Sequence, residues 1–343
     1  MTTPARPTAS VEAIERFTEL ADYVIPFTIR AVGELGVADQ LRDGSKSIEE
    51  LAAATNSHAP SLYRALLALA SKGIFTEVEP GRFGLTPMAE LLRSDTMLSL
   101  RDGYRLLSAD IQAWARFDYS LRTGTAAFDL VHEQGYWDYL ATHSAYSRRF
   151  DRAMQTFTKL EARAIIAAYP WTGVDTVVDI GGGNGAFLSF LLRSYRTMRG
   201  TLFDQPHVVS GADAVLAAAR VEDRCTVVGG SAFESIPAGA QVYTMKRVLY
   251  DFDNDEAVTI LRNVRAAMTD DSRFLLCDPV LEPGDRSDIS TTYGRIYDLL
   301  MLAMVSGHAR SVDELAKLFS EAGLQLTRVV PTHVFPIVEA RPV

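Results

Sequence analysis

"VVDIGGGNGAF", residues 177–187, reads as a strand running into a glycine turn and out into a helix. Val177, Val178 and Ile180 are β-branched and surround Asp179; Gly181, Gly183 and Gly185 follow. The next residues, "AFLSFLLRSY" (186–195), place apolar side chains at helical spacing. Glycines at such a junction allow a sharp turn and let a nucleoside ligand come close to the backbone.

Beyond this unit the texture persists. Short β-branched runs at 201–204, 226–228, 242–245 and 274–278 alternate with the helical patterns "VVSGADAVLAAAR" (208–220) and "NDEAVTILRNVRAAM" (254–268). Strands alternating with helices predict a Rossmann-like, doubly wound parallel sheet, an α/β fold. Two last runs, 326–330 and 333–338, flank Pro331 and predict an antiparallel hairpin closing one edge.

Toward the N-terminus, residues 1–10 read as a disordered tail, and a helical pattern from Val11 to Leu35 predicts a kink at Pro26. Ser47 and Glu50 fit a capping box, Pro60 opens a helix that ends before Gly73, and "IFTEVEPGRFGLT" (74–86) alternates around a Pro80-Gly81 turn. Helices followed by a wing predict a winged-helix domain over 11–100. A helical, aromatic-rich layer over 101–168 follows, and then the sheet domain over 169–343.

The 343 residues carry a net charge of −9, with 48% apolar residues and a mean hydropathy of +0.03. Between residues 47 and 95, four basic residues stand against six acidic ones, too few cations for a DNA-reading helix. Nucleic acid and anionic membranes are therefore not expected as partners. Cys225 and Cys277 lie far apart without a CxxC, so neither a disulfide framework nor a zinc site is expected. The first residues lack an apolar signal region and no 18-residue apolar run follows, which predicts a cytoplasmic protein.

The ligand follows from charge. A carboxylate at Asp179, just before the glycines, would repel a pyrophosphate but suits a ligand bearing an ammonium and a sulfonium, S-adenosylmethionine. Asp204, 19 residues after Gly185, closes the second strand where a carboxylate can accept both ribose hydroxyls. The aromatic segments "DIQAWARFDY" (110–119) and "GYWDYLATHSAYSRRFDRAMQTF" (135–157) offer walls for a flat ligand, with Trp114, His132, Tyr136 and Met154 as candidate pocket residues.

With "LFDQPHVV" (202–209), "VVGGSAFESIP" (227–237), "MKRVLYDFDNDEAVTILRNVRAAM" (245–268) and "LEPGDRSD" (281–288), the chain resembles the small-molecule O-methyltransferases of the caffeic-acid and hydroxyindole type, in their bacterial secondary-metabolite branch. The resemblance implies an N-terminal dimerisation domain, a homodimer, and a small aromatic or polyketide-like substrate. It also implies cofactor contacts from Gly181, Gly183, Asp204, Gln205 and Lys246, and adenine contacts from Ser231 and Phe233. Ser231 stands where most relatives carry aspartate.

The resemblance breaks at "KRVLYDF" (246–252), where the family has a histidine base and Tyr250 stands instead. Of the two acids that hold that histidine, Asp278 matches one and Ala309 replaces the other; His308 is its neighbour. Histidine, with a pKa of about 6.5, suits proton abstraction at neutral pH. Tyrosine, at about 10, is phenolate in only about one molecule in a thousand at pH 7. Three readings stay open. An acidic acceptor ionises alone or a different group (His132, His143, His308 or Asp251) takes the proton, or the acceptor is a carbon or nitrogen, or S-adenosylmethionine is kept as a fixed charge for other chemistry. The rival from another class is a ligand-sensing winged-helix regulator.

Overall fold

Asp22 decides where the first helix stops. In the computed structural model, which describes residues 9–104, 107–281 and 289–343, helices Val11–Ala21 and Val24–Leu35 are separate. The Asp22 carboxylate accepts from the backbone N–H groups of Val24 and Ile25 at 2.8 and 2.9 Å. The expected kink at Pro26 is thus a break ahead of it. Pro26 falls in the first turn of the second helix, where its missing N–H has no helical partner to lose.

The rest of this unit follows its local signals. The Ser47–Glu50 capping box opens Ile48–Ala54, Pro60 lies in the first turn of Ala59–Ala70, and Gly73 follows at φ 73°. Strands β2 (Phe75–Glu79) and β3 (Arg82–Leu85) form the expected hairpin, and β1 (Lys46–Ser47) pairs with the other edge of β3. Leu51, Leu66, Leu69 and Phe83 fill its core.

The second unit begins at residue 107 and takes in the helical layer expected as a separate segment. Strands β4 (Thr176–Ile180), β5 (Arg199–Asp204), β6 (Cys225–Gly229), β7 (Val242–Lys246) and β8 (Arg273–Cys277) run parallel. Strands β9 (Leu324–Val330) and β10 (Ile337–Pro342) join antiparallel, giving the order β6-β5-β4-β7-β8-β10-β9. The last strand starts at Ile337 instead of His333. Pro331 and Pro336 lack the N–H that a ladder needs.

Both sheet faces are covered. Ile180, Met245, Phe274 and Leu261 belong to one core, and Val177, Leu188, Leu202 and Leu275 to the other. The layer of helices between Ser108 and Ala168 packs with Ile289–Met304 through Ala109, Phe128, Tyr136, Leu140 and Met304. Among the described residues no helix is long and apolar enough to cross a membrane. The tail at 1–8 and residues 282–288 of the "LEPGDRSD" stretch lie outside the described residues.

Candidate active site

Strand order places the site. After β4 the chain turns toward β5, and after β7 it turns toward β8, so the two loops part and leave a crevice at the strand ends. A cavity of about 310 Å³ lies there. Gly181 and Gly183 line it at φ 65° and 61°, left-handed backbone that suits glycine. Asp179, in β4, is buried beside Thr244 of β7, whose hydroxyl donates to Oδ1 at 2.8 Å. Its Oδ2 has no hydrogen-bond partner among the described residues. A Cβ at Gly182 would come within 2.6 Å of that oxygen, so glycine is needed beside it. Burial lifts this carboxyl to about 7, against the Thr244 bond. A buried acceptor without a donor is costly, and a ligand ammonium would satisfy it.

Asp204, at the end of β5, braces the glycine loop and faces the cavity. Its Oδ2 accepts from Gly183 N at 2.8 Å and its Oδ1 from Gln205 N at 2.7 Å, leaving each oxygen a further lone pair. Phe233 and Phe252, edge to face at 5.2 Å, line the cavity on another side. Lys246 and Arg247, leaving β7, converge on Glu161 of the long helix Ser144–Ala168, both at 2.8 Å. Burial alone would raise the Glu161 carboxyl, but the two cations outweigh it and hold it at about 2. Arg247 also lies over the Tyr297 ring at 4.5 Å.

The turn after β7 is held by its backbone. Asp278 accepts from the N–H groups of Arg247, Val248 and Tyr250 at 2.7, 3.2 and 3.0 Å. From the other side the Arg310 guanidinium donates to the carbonyls of Leu249 and Phe252 and to Asn254 Oδ1. Gly307 packs so close to the Tyr250 and Asp251 carbonyls that a Cβ there would collide with them. The 3₁₀ turn Leu249–Asp251 is clamped between these groups.

Several expected residues fall elsewhere. Asp278 spends its oxygens on three backbone N–H groups, so it fixes a turn where an orienting role toward a side-chain base was expected. Tyr250 is 4% exposed and absent from the cavity lining. Burial, with Asp251 and Asp278 nearby, holds its phenol well above the usual value despite Arg247. His308 is half-buried and off the cavity, its pKa lowered by burial and by Arg310. His132 bonds the Ala109 carbonyl at 3.1 Å, Tyr136 is buried against Phe128 and Phe150, and Trp114 packs on Phe117, so these three do not line the cavity. Ser231 caps its own turn through Phe233 N. Met154, Gln205, Phe233 and Lys246 do line it, with Asp179, Gly181, Gly183 and Asp204.

Sequence reasoning missed Trp137, Phe150, Thr158 and Glu161, which reach the site from the helical layer. Their helical spacing was visible, but which face meets the strand ends is set only by packing.

Residues 114–325 match the O-methyltransferase domain, and residues 18–95 match the O-methyltransferase dimerisation domain. The chain is 41% identical over 326 residues to the phenazine O-methyltransferase PhzM of Lysobacter antibioticus, covering 94% of each. The solved structure of LaPhzM superposes with a TM-score of 0.91 at 40% identity, over 98% of this chain and all of that one. An O-methyltransferase from neocarzinostatin biosynthesis, solved with S-adenosylmethionine and 2-hydroxy-5-methyl naphthoic acid, gives 0.80 at 33% identity, covering 95% and 98%. The chain belongs to the O-methyltransferase family and is an S-adenosylmethionine-dependent methyltransferase.

Proposed function

We propose that the chain methylates a hydroxyl group of a small planar aromatic metabolite, as a homodimer. The observation that carries the reading is the two-sided character of one cavity. One end holds the unpartnered Asp179 oxygen, the glycine backbone and Asp204; the rest of the wall includes Trp137, Leu140, Phe150, Met154 and Phe252. The charged end suits the ammonium and ribose of S-adenosylmethionine, and the aromatic wall suits a flat acceptor. The relatives support this acceptor class, since the named ones act on a phenazine or were solved with a naphthoic acid.

S-Adenosylmethionine, when bound, supplies a methyl group already activated by a positive sulfur. This chain's residues then have three tasks: holding that group, placing the acceptor in line, and excluding water. Asp179 and Asp204 hold; Trp137, Phe150 and Met154 place and exclude. The homodimer rests on helix Val11–Ala21, which buries none of its residues, leaves Ile14, Phe17 and Leu20 exposed, and runs into a dimerisation-domain match that begins at residue 18.

The test is incubation with labelled cofactor and either a hydroxyphenazine or an aminophenazine. Methyl ether formation with stoichiometric S-adenosylhomocysteine is expected from the first. Transfer only to nitrogen or carbon, or product formed with the cofactor unconsumed, would overturn the hydroxyl reading.

A further inference from the structure

The family's histidine is absent; His207 lines the cavity beside Asp204, at the end assigned to the ribose, whereas His132, His143 and His308 lie off it. His132 is bound to the Ala109 carbonyl, His143 is stacked on Tyr139 at 3.8 Å, and His308, half-buried near Arg310, is outside the lining. Asp251 is different. It lines the cavity, is 8% exposed, and its carboxylate accepts no hydrogen bond among the described residues. The turn that presents it is fixed from both sides by Asp278 and Arg310.

We propose that Asp251 is the catalytic base, and that the charge of the methyl donor puts it in its working, ionised form. This rests on the reading of the acceptor as a hydroxyl. The Asp251 carboxylate takes the proton from the acceptor O–H. The oxygen's electron pair forms the new bond to the methyl carbon, and the carbon–sulfur bond breaks with its pair staying on sulfur. The sulfur ends neutral and Asp251 ends protonated, later losing that proton to water.

An ordinary carboxylate, at a pKa of about 4, is a weak base for a phenol. Burial, together with Asp278, raises Asp251 well above that value, while Arg247 opposes the rise. The groups facing Asp251 are Arg247 and Tyr250 on its own turn, Asp278 beyond β8, and Tyr136 from the helical layer. A carboxylate raised in this way is a stronger base, and the same burial favours its protonated form before the donor binds. A sulfonium in the same cavity favours the ionised form, so donor binding expels the proton. Once transfer has neutralised the sulfur, Asp251 regains its affinity for a proton and holds the one it has taken.

The experiment compares wild type with Asp251→Asn in two readouts. By calorimetry at pH 7 in two buffers of different ionisation enthalpy, wild type releases more protons on binding S-adenosylmethionine than on binding S-adenosylhomocysteine. The variant shows no difference, with S-adenosylhomocysteine affinity changed less than about threefold. With hydroxyphenazine as acceptor, turnover in the variant falls about 10²–10⁴-fold. Its residual rate climbs with pH as the acceptor ionises by itself. Wild-type turnover in the variant, or a donor-specific proton release that survives Asp251→Asn or is missing from wild type, overturns the proposal. Methylation of nitrogen or carbon alone overturns the hydroxyl reading instead.

Discussion

Tyr250 and Asp179 show how differently two buried ionisable residues fare. Tyr250 was expected at the position where the family has its base, yet it is not among the residues that line the cavity, and burial keeps its proton on. Tyr250→Phe is therefore expected to leave turnover within a few-fold of wild type, measured with a saturating hydroxyl acceptor. Asp179 has the opposite fate, with one oxygen bare and its pKa raised to about 7 by burial. A ligand ammonium selects the ionised form. Affinity for S-adenosylhomocysteine should thus hold above pH 7 and weaken toward tenfold per unit below it. Asp179→Asn should cost about 10–100-fold in affinity, as loss of a charged hydrogen bond does, and remove that pH dependence in calorimetry. Asp179 was legible in the sequence because a carboxylate before glycines has few structural reasons to be there. That Tyr250 turns away was not, because the direction of a side chain on a 3₁₀ turn depends on Asp278 and Arg310, which lie 28 and 60 residues further along.

At the scale of elements, the junction of β7 with the helix Ser144–Ala168 rests on one buried anion between two cations. Glu161→Gln leaves Lys246 and Arg247 adjacent and uncompensated, and should lower stability by about 3–5 kcal/mol in denaturant unfolding. The acid limb carries its own signature. Glu161 stays ionised down to about 2 when folded, so its contribution is complete above pH 4.5 and disappears as pH falls toward 2. The variant should lack that part of the acid sensitivity. Most elements were readable before any coordinates: the Ser47 capping box, the hairpin at Gly81 and five parallel strands occur within a few residues of expectation. The errors have local causes. Asp22 stops a helix that Pro26 was expected to bend, and Pro336 delays the last strand. The helical layer was readable as helices, but its membership in the second unit was not, because packing of Phe128 and Tyr136 on Met304 joins residues far apart in sequence.

At the scale of the whole molecule, the exposed helix Val11–Ala21 makes a prediction about assembly. A helix this short gains most of its stability from burying an apolar face, and here Ile14, Phe17 and Leu20 stay exposed among the described residues. Replacing Phe17 and Leu20 together by glutamate should halve the mass seen by sedimentation, without unfolding the sheet unit. The clamped turn has a consequence of another kind. Asp278 and Arg310 grip residues 247–252 by peptide groups, apart from the tie to Asn254, so none of these hydrogen bonds passes through the side chains at 250 and 251. Of the two, Asp251 faces the cavity, so position 251 is a socket with interchangeable fittings. A library randomised there alone is a direct route to new reactivities on this frame.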